Sequence, residues 1–222
     1  MTERLFWNDP YQTTLDTTVI SVSGNEITVA ATIFFAFSGG QESDAGTIAG
    51  RPVLQARKDG RQIVYTLTEG HGLKPGDAVR MEIDWSRRYR LMRLHFAAEL
   101  VLELVCRQCG AIERIGSHIA QDKARIDFAW PQNISPLLPV IEAEVQAIID
   151  ANSAIECAFS DRENMRRYWQ VEGFARVPCG GTHPRRTGEV GGVKLKRKNI
   201  GGGKERIEIY LNDMPAARIA AN

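Results

Sequence analysis

Two hydrophobic rhythms divide the chain. Residues 17–22 and 26–37 are rich in Val, Ile, Thr and Phe and break at Gly24-Asn25. Residues 62–68 and 78–84 read as two more strands, joined by the loop-forming run Glu69-Gly70-His71-Gly72-Leu73-Lys74-Pro75-Gly76-Asp77. Strands at this spacing with glycine turns predict a small barrel, and His71 reads as a solvated turn residue. The pattern then changes. Leu91, Leu94, Ala98, Val101, Leu102 and Val105 recur at helical spacing between Tyr89 and Cys109. His95 falls on that apolar face, with Glu99 one turn later. A histidine there is commonly a satisfied core residue. A carboxylate is harder to dismiss, since buried acids are rare unless paired or metal-bound.

Ser135-Pro136 starts a further helix, whose stripe is Leu138, Ile141, Val145, Ile148 and Ile149. Residues 154–159 and 174–177 read as strands, with 161–170 as a short helix between them. Residues 192–198 and 206–211 form a hairpin around Gly201-Gly202-Gly203. The expected fold class is α+β. A small β-barrel domain with a glycine-rich loop covers 1–86, and an α+β domain with a mixed or antiparallel sheet and packed helices covers 87–222.

Composition adds limits. The 222 residues are 43% hydrophobic and 25% charged, ordinary for a soluble globular protein. A net charge of +1 gives no bulk attraction to nucleic acid. Charge is uneven, however. From Arg185 to Arg206 there are eight Lys or Arg against two Glu, which reads either as a solvated hairpin or as a nucleic-acid footprint. No apolar run is long enough to cross a bilayer, and the N-terminus lacks the regions of a signal peptide. Cys106, Cys109, Cys157 and Cys179 are therefore expected to be reduced in a cytoplasmic protein. The lone CxxC at Cys106 and Cys109 reads as packing rather than as a zinc site.

The most informative stretch is Val177-Pro178-Cys179-Gly180-Gly181-Thr182-His183. It offers a thiol and an imidazole, both good ligands for a borderline-soft divalent metal. Its glycines disfavour a helix and predict a tight turn after a strand. CxxxH is not a common structural-zinc spacing, so a metal site and an ordinary buried Cys with a nearby His both stay open.

Several segments agree with one family. Cys179-Gly180-Gly181-Thr182-His183, followed by Thr187-Gly188-Glu189-Val190-Gly191, resembles the CGGTH…TGE[IV]G signature of alanyl-tRNA synthetase editing domains. Residues 84–95, Asp84-Trp85-Ser86 through His95, resemble the run into that family's HxxxH helix. Ser38-Gly39-Gly40-Gln41-Glu42-Ser43-Asp44-Ala45-Gly46 resembles its glycine loop, and Gly116-Ser117-His118 through Arg125-Ile126-Asp127-Phe128 its GS…RxDF segment. The resemblance covers nearly the whole chain in the right order. With no aminoacylation domain, it is to the free-standing trans-editing proteins (AlaX type, medium-length form).

The resemblance implies a cytoplasmic hydrolase that clears mischarged Ser-tRNA(Ala), and often Gly-tRNA(Ala), by cleaving the ester. It implies one Zn2+ per chain, held by His95, Cys179 and His183. The second His of HxxxH is Glu99 here. Glu99 then completes the zinc shell, positions water, or marks a lost metal or changed substrate. Phe96 stands where the family has a small hydroxyl residue, so the amino-acid pocket is narrowed or filled. Gln41 and Glu99 are the catalytic candidates; Gly39, Gly40, Gln41 and Thr182 are the substrate-binding ones. Arg185, Arg186, Lys194, Lys196, Arg197 and Lys198 are expected to meet tRNA phosphate, with the chain a monomer or weak dimer. Two other functions compete: a tRNA-binding module with a structural metal and no activity, and a metal-dependent esterase on another acyl substrate.

Overall fold

The computed structural model describes residues 2–110 and 112–212 and has an α+β fold of two compact units, 1–92 and 93–222. In the first unit β1 (Glu3–Arg4) pairs in parallel with β4 (Ala31–Thr32). The other strands are β2 (Thr14–Ser23), β3 (Glu26–Val29), β5 (Gly46–Ile48), β6 (Arg51–Pro52), β7 (Gln55–Asp59), β8 (Gln62–Thr66) and β9 (Ala78–Ile83). They make one antiparallel sheet in the order β6-β5-β9-β2-β3-β8-β7. The sheet curls, and its end strands are separated in the chain only by Val53 and Leu54. Strand β2 serves both halves. Thr14–Thr18 pair with β9, Val19–Ser23 pair with β3, and the register shifts between Val19 and Ser21. Gly46 allows β5 to approach β9, since a Cβ there would lie 2.0 Å from the Glu82 carbonyl oxygen.

The apolar run at residues 33–37 departs from expectation. Strand β4 stops at Thr32, yet Ile33, Phe34, Phe35 and Ala36 are fully buried. Side chains replace the ladder. The amide of Phe34 donates to Thr32 Oγ1 (3.0 Å), that of Phe35 to Asp44 Oδ2 (2.6 Å) and that of Phe37 to Ser43 Oγ (2.8 Å). A buried loop is tolerable only with such partners. His71 is a second correction. It is 7% exposed, its Nε2 lies 3.1 Å from the Gly24 carbonyl oxygen, and its Nδ1 accepts from the Leu73 amide at 3.1 Å. Its ring is the internal fastener of the loop, which a solvated residue cannot be.

Helix α1 (Trp85–Cys109) begins where Asp84 Oδ1 accepts the Arg87 amide at 3.0 Å, and it stops at Gly110 with φ +68°. Arg88, in its first turns, is fully buried. Its guanidinium forms a two-pronged ion pair with Asp44 (Nε to Oδ1 2.8 Å) and donates to the carbonyls of Pro10 (2.8 Å) and Ile33 (2.6 Å).

The second unit holds two antiparallel sheets. β10 (Glu113–Ile119), β11 (Ala124–Ala129), β15 (Val193–Asn199) and β16 (Lys204–Leu211) pair in the order β10-β11-β16-β15. Helix α2 (Leu138–Asp150) buries Leu138, Ile141, Val145 and Ile149, and its Glu142 carboxylate accepts from the Leu195 amide of β15 at 2.7 Å. The smaller sheet is β12 (Glu156–Asp161), β13 (Arg166–Val171) and β14 (Ala175–Pro178). Residues 161–170 are therefore a turn and a strand, not the short helix that the sequence predicts. Asp161 Oδ1 accepts the Asn164 amide (3.0 Å), Met165 takes φ +53°, and Arg167, Trp169 and Val171 are buried alternately. That alternation has a period of two, and no helical stripe competes with it. β13 and β14 are joined by Glu172-Gly173-Phe174, with Gly173 at φ +72°.

Replacing Asp44 by Ala strands the Arg88 charge in the core, and the expected loss is ~3–5 kcal/mol in urea unfolding. The double variant Asp44→Ala/Arg88→Met should recover part of that loss. A single-variant loss under ~1 kcal/mol would contradict the role given to the pair.

Candidate metal centre

All residues of this site belong to the second unit. His95 and Glu99 are one turn apart on α1, while Cys179 and His183 flank the Gly180-Gly181 turn after β14. The Cys179 amide continues the β13–β14 ladder by donating to the Arg167 carbonyl at 2.9 Å. The register of β12-β13-β14 puts Cys157, Arg167, Trp169 and Cys179 on one face.

Three donors converge. One ligand atom from each of His95, Cys179 and His183 lies within 4.8 Å of the others. His95 Nε2 is 3.6 Å from Cys179 Sγ, and the two imidazoles stack at 4.8 Å. Each ring is held through its other nitrogen. His95 Nδ1 lies 3.3 Å from the Thr182 carbonyl oxygen, which can only accept, so the proton sits on Nδ1. His183 Nδ1 lies 3.4 Å from Cys157 Sγ. His183 Nε2 is buried with no hydrogen-bond partner among the described residues. Two imidazoles and a cysteine sulfur suit a borderline-soft divalent ion, and such an ion would give His183 Nε2 a partner.

Glu99 divides its carboxylate. Oε1 is 3.2 Å from His95 Nε2 and 3.6 Å from Cys179 Sγ, while Oε2 accepts from the Trp169 indole N–H at 3.2 Å. Burial opposes charge on both His95 and Glu99, but each overcomes it. Cys179 and Glu99 push the imidazole up to about 10, so Nε2 carries a proton that an incoming cation must displace, and His95 draws the Glu99 carboxyl down to about 2. His183 goes the other way, since burial, with the His95 charge beside it, holds it well below its usual value in the neutral form that ligates. Cys157 is exposed overall, but desolvation raises its thiol to about 11. Phe96 is fully buried, edge-on to Trp169 (5.2 Å) and His183 (5.8 Å).

The other expected site residues are distributed as follows. In the first unit, Gly39 (φ +61°) and Gly40 (φ +88°) form a tight turn closed by reciprocal bonds between Ser38 and Gln41, whose side chain is buried. In the second unit Thr182 is buried. Lys194, Lys196 and Lys198 share the outer face of β15, with Lys194 paired to Glu142 at 2.8 Å and Lys196 over the Tyr210 ring at 4.9 Å. Arg197 lies on the opposite face, clamped twice by Glu205 at 2.5 Å. Arg186 donates to Asn152, and the Arg185 amide donates to Glu189 Oε1 at 2.9 Å. Sequence reasoning missed Cys157 and Trp169, which stand in no motif; strand pairing alone brings them to the ligands.

Comparison with known proteins agrees. Residues 168–208 match the family model "Threonyl and Alanyl tRNA synthetase second additional domain". An alanyl-tRNA editing protein AlaX-M of Pyrococcus horikoshii is 36% identical over 95% of this chain and 98% of its own length. Its counterpart in Methanosarcina barkeri is 31% identical over 96% of this chain and all of its own length. The alanine–tRNA ligase of Methanococcus aeolicus is 28% identical over 93% of this chain, which spans only 25% of that enzyme.

Cys179→Ala should abolish stoichiometric zinc binding, read by elemental analysis after dialysis. Cys157→Ser touches only the far nitrogen of His183, so it should keep the metal with affinity lowered ~10-fold in chelator competition. Full zinc retention by Cys179→Ala would remove the thiolate from the ligand set.

Proposed function

This chain belongs to the AlaX-M family of alanyl-tRNA editing proteins, and from that premise we propose that it is a trans-editing hydrolase of mischarged tRNA(Ala). The single observation that carries the reading is the convergence of His95, Cys179 and His183 in a chain that matches free-standing editing proteins over their full length. Its substrate in this reading is Ser-tRNA(Ala), with Gly-tRNA(Ala) second. The functional division follows 1–86 as a small barrel and 87–222 as the editing domain.

His95, Cys179 and His183 would hold Zn2+, with Glu99 Oε1 as the fourth ligand. Bound there, zinc supplies Lewis acidity toward the ester or the attacking water. The chain's own groups do the rest. Trp169 fixes Glu99 Oε2, so Oε1 keeps its direction toward His95 and Cys179. Thr182 and Cys157 fix the two imidazoles. Phe96 fills volume beside His183, which favours a small acyl group. By resemblance, Gly39, Gly40 and Gln41 receive the aminoacyl-ribose end, where the glycines allow close backbone approach. Discrimination against alanine needs a polar group that rewards the serine hydroxyl. The outer face of β15, with Lys194, Lys196 and Lys198, forms the proposed tRNA surface, to which Arg185 and Arg186 are added by resemblance; Arg197, on the opposite face and clamped by Glu205, would have to leave that partner to join it.

A deacylation panel with Ser-, Gly- and Ala-tRNA(Ala) tests the activity. The expected result is turnover on the first two. Binding without turnover would favour the binding-module reading, and turnover confined to small esters the esterase reading. Within the panel, Glu99→Ala should weaken zinc and rate together, and Glu99→His should restore zinc. A Glu99→Gln variant that keeps zinc but loses ~10²-fold in rate would instead make Glu99 a general base.

Lys194→Glu/Lys196→Glu/Lys198→Glu should weaken tRNA binding and flatten its salt dependence by ~0.9 for each phosphate that is no longer neutralised. Unchanged affinity and slope would leave β15 a solvated hairpin.

A further inference from the structure

Among the described residues of the first unit, Arg4 and Lys58 lie close together and neither is paired with a carboxylate. Arg4 is only 9% exposed, its Nε is buried with no hydrogen-bond partner, and no carboxylate pairs with it among the described residues. Its guanidinium lies 4.9 Å over the Trp7 ring. Lys58 on β7 donates to Ser38 Oγ at 2.5 Å and likewise has no ion pair among the described residues. Strand pairing brings the two together. Lys58 faces Ile63 across the β7–β8 ladder, and the Ile63 amide donates to Thr2 Oγ1 at 3.4 Å, two residues before Arg4. The neighbour Arg57 shows the contrast, being paired with Glu26 (2.9 Å) and Asp59 (3.5 Å). Burial lowers the pKa of Arg4; Lys58 is exposed overall, but partial desolvation of its amine and the Arg4 charge lower its pKa as well.

Two like charges held close without a counter-charge repel each other, and an anion between them relieves that repulsion. Arg offers a planar fork and Lys a point charge, the pair of donors suited to phosphate. Ser38 leads into the Gly39-Gly40 turn, and Phe37 before it leaves its side chain 54% exposed. An exposed ring one residue from Ser38 gives a base somewhere to stack. We infer that Arg4, Lys58 and the Ser38 hydroxyl form a phosphate site in the first unit, which takes a backbone phosphate of tRNA with the adjoining base on Phe37. The inference deepens the tRNA reading above and rests on it.

The test uses the full-length protein, an uncharged acceptor-stem minihelix ending in single-stranded CCA, and inorganic phosphate as a second probe. Lys58→Met and Arg4→Met should each weaken minihelix binding and reduce its salt slope by ~0.7, the value for one single-strand phosphate. Phe37→Ala should weaken minihelix binding about fivefold or more while leaving phosphate binding unchanged. If Arg4→Met does not fold, Lys58→Met carries the test alone. Wild-type minihelix binding with no change in Lys58→Met overturns this site and leaves the editing reading intact. Loss of phosphate binding in Lys58→Met with minihelix binding unchanged assigns a free anion and also overturns it. A wild type that binds no minihelix overturns the tRNA reading itself.

Discussion

A guanidinium withdrawn completely from water must find its whole complement within hydrogen-bond reach, and Arg88 sets that condition for the first unit. Asp44 answers its charge, while the carbonyls of Pro10 and Ile33 each take one further N–H. Asp44 in turn uses its second oxygen to accept the Phe35 amide. One charge thus ties the head of α1, the loop after β4 and the segment after the Gly39-Gly40 turn into a single network. Any member removed alone leaves another buried and unsatisfied, which is far costlier than the net value of a typical hydrogen bond.

The candidate centre depends on orientation in a comparable way. Its imidazoles are useful only if the correct nitrogen carries the lone pair. For His95 the Thr182 carbonyl decides that, since it can only accept, while the Cys157 thiol holds the far nitrogen of His183 in place. Glu99 enters by the same logic. A carboxylate at this depth is tolerable because an indole N–H and an imidazole share it. The substitution of Glu for the family's second His is therefore accompanied by a dedicated donor, Trp169.

Local pattern made much of this legible. The apolar period of α1, the turn at Cys179–His183 and the β15–β16 hairpin follow from residue spacing, and so does the expectation that His95 faces inward. What escaped was non-local. Residues 33–37 read as a strand because they are apolar and β-prone; their amides are satisfied by Ser43 and Asp44, which period alone cannot reveal. Residues 166–171 alternate clearly only when the turn at 161–165 is recognised, and that turn is made by an Asp side chain and a positive φ at Met165. His71 lies among glycines that signal exposure, yet it bonds to the Gly24 carbonyl 47 positions away in sequence. Cys157 reaches the site only through strand pairing, so no motif announced it.

The three-residue turn Glu172-Gly173-Phe174 has a further meaning. It sets the register in which Trp169 faces Val177 and Cys179 continues beside Arg167. Side chains on a strand point alternately to opposite faces, so a slip of one residue exchanges the faces of everything after it. Inserting or deleting a single residue in that turn would leave every ligand in the chain and still turn the Cys179 thiol away from His95. The centre is written in the parity of a loop as well as in the identity of its donors.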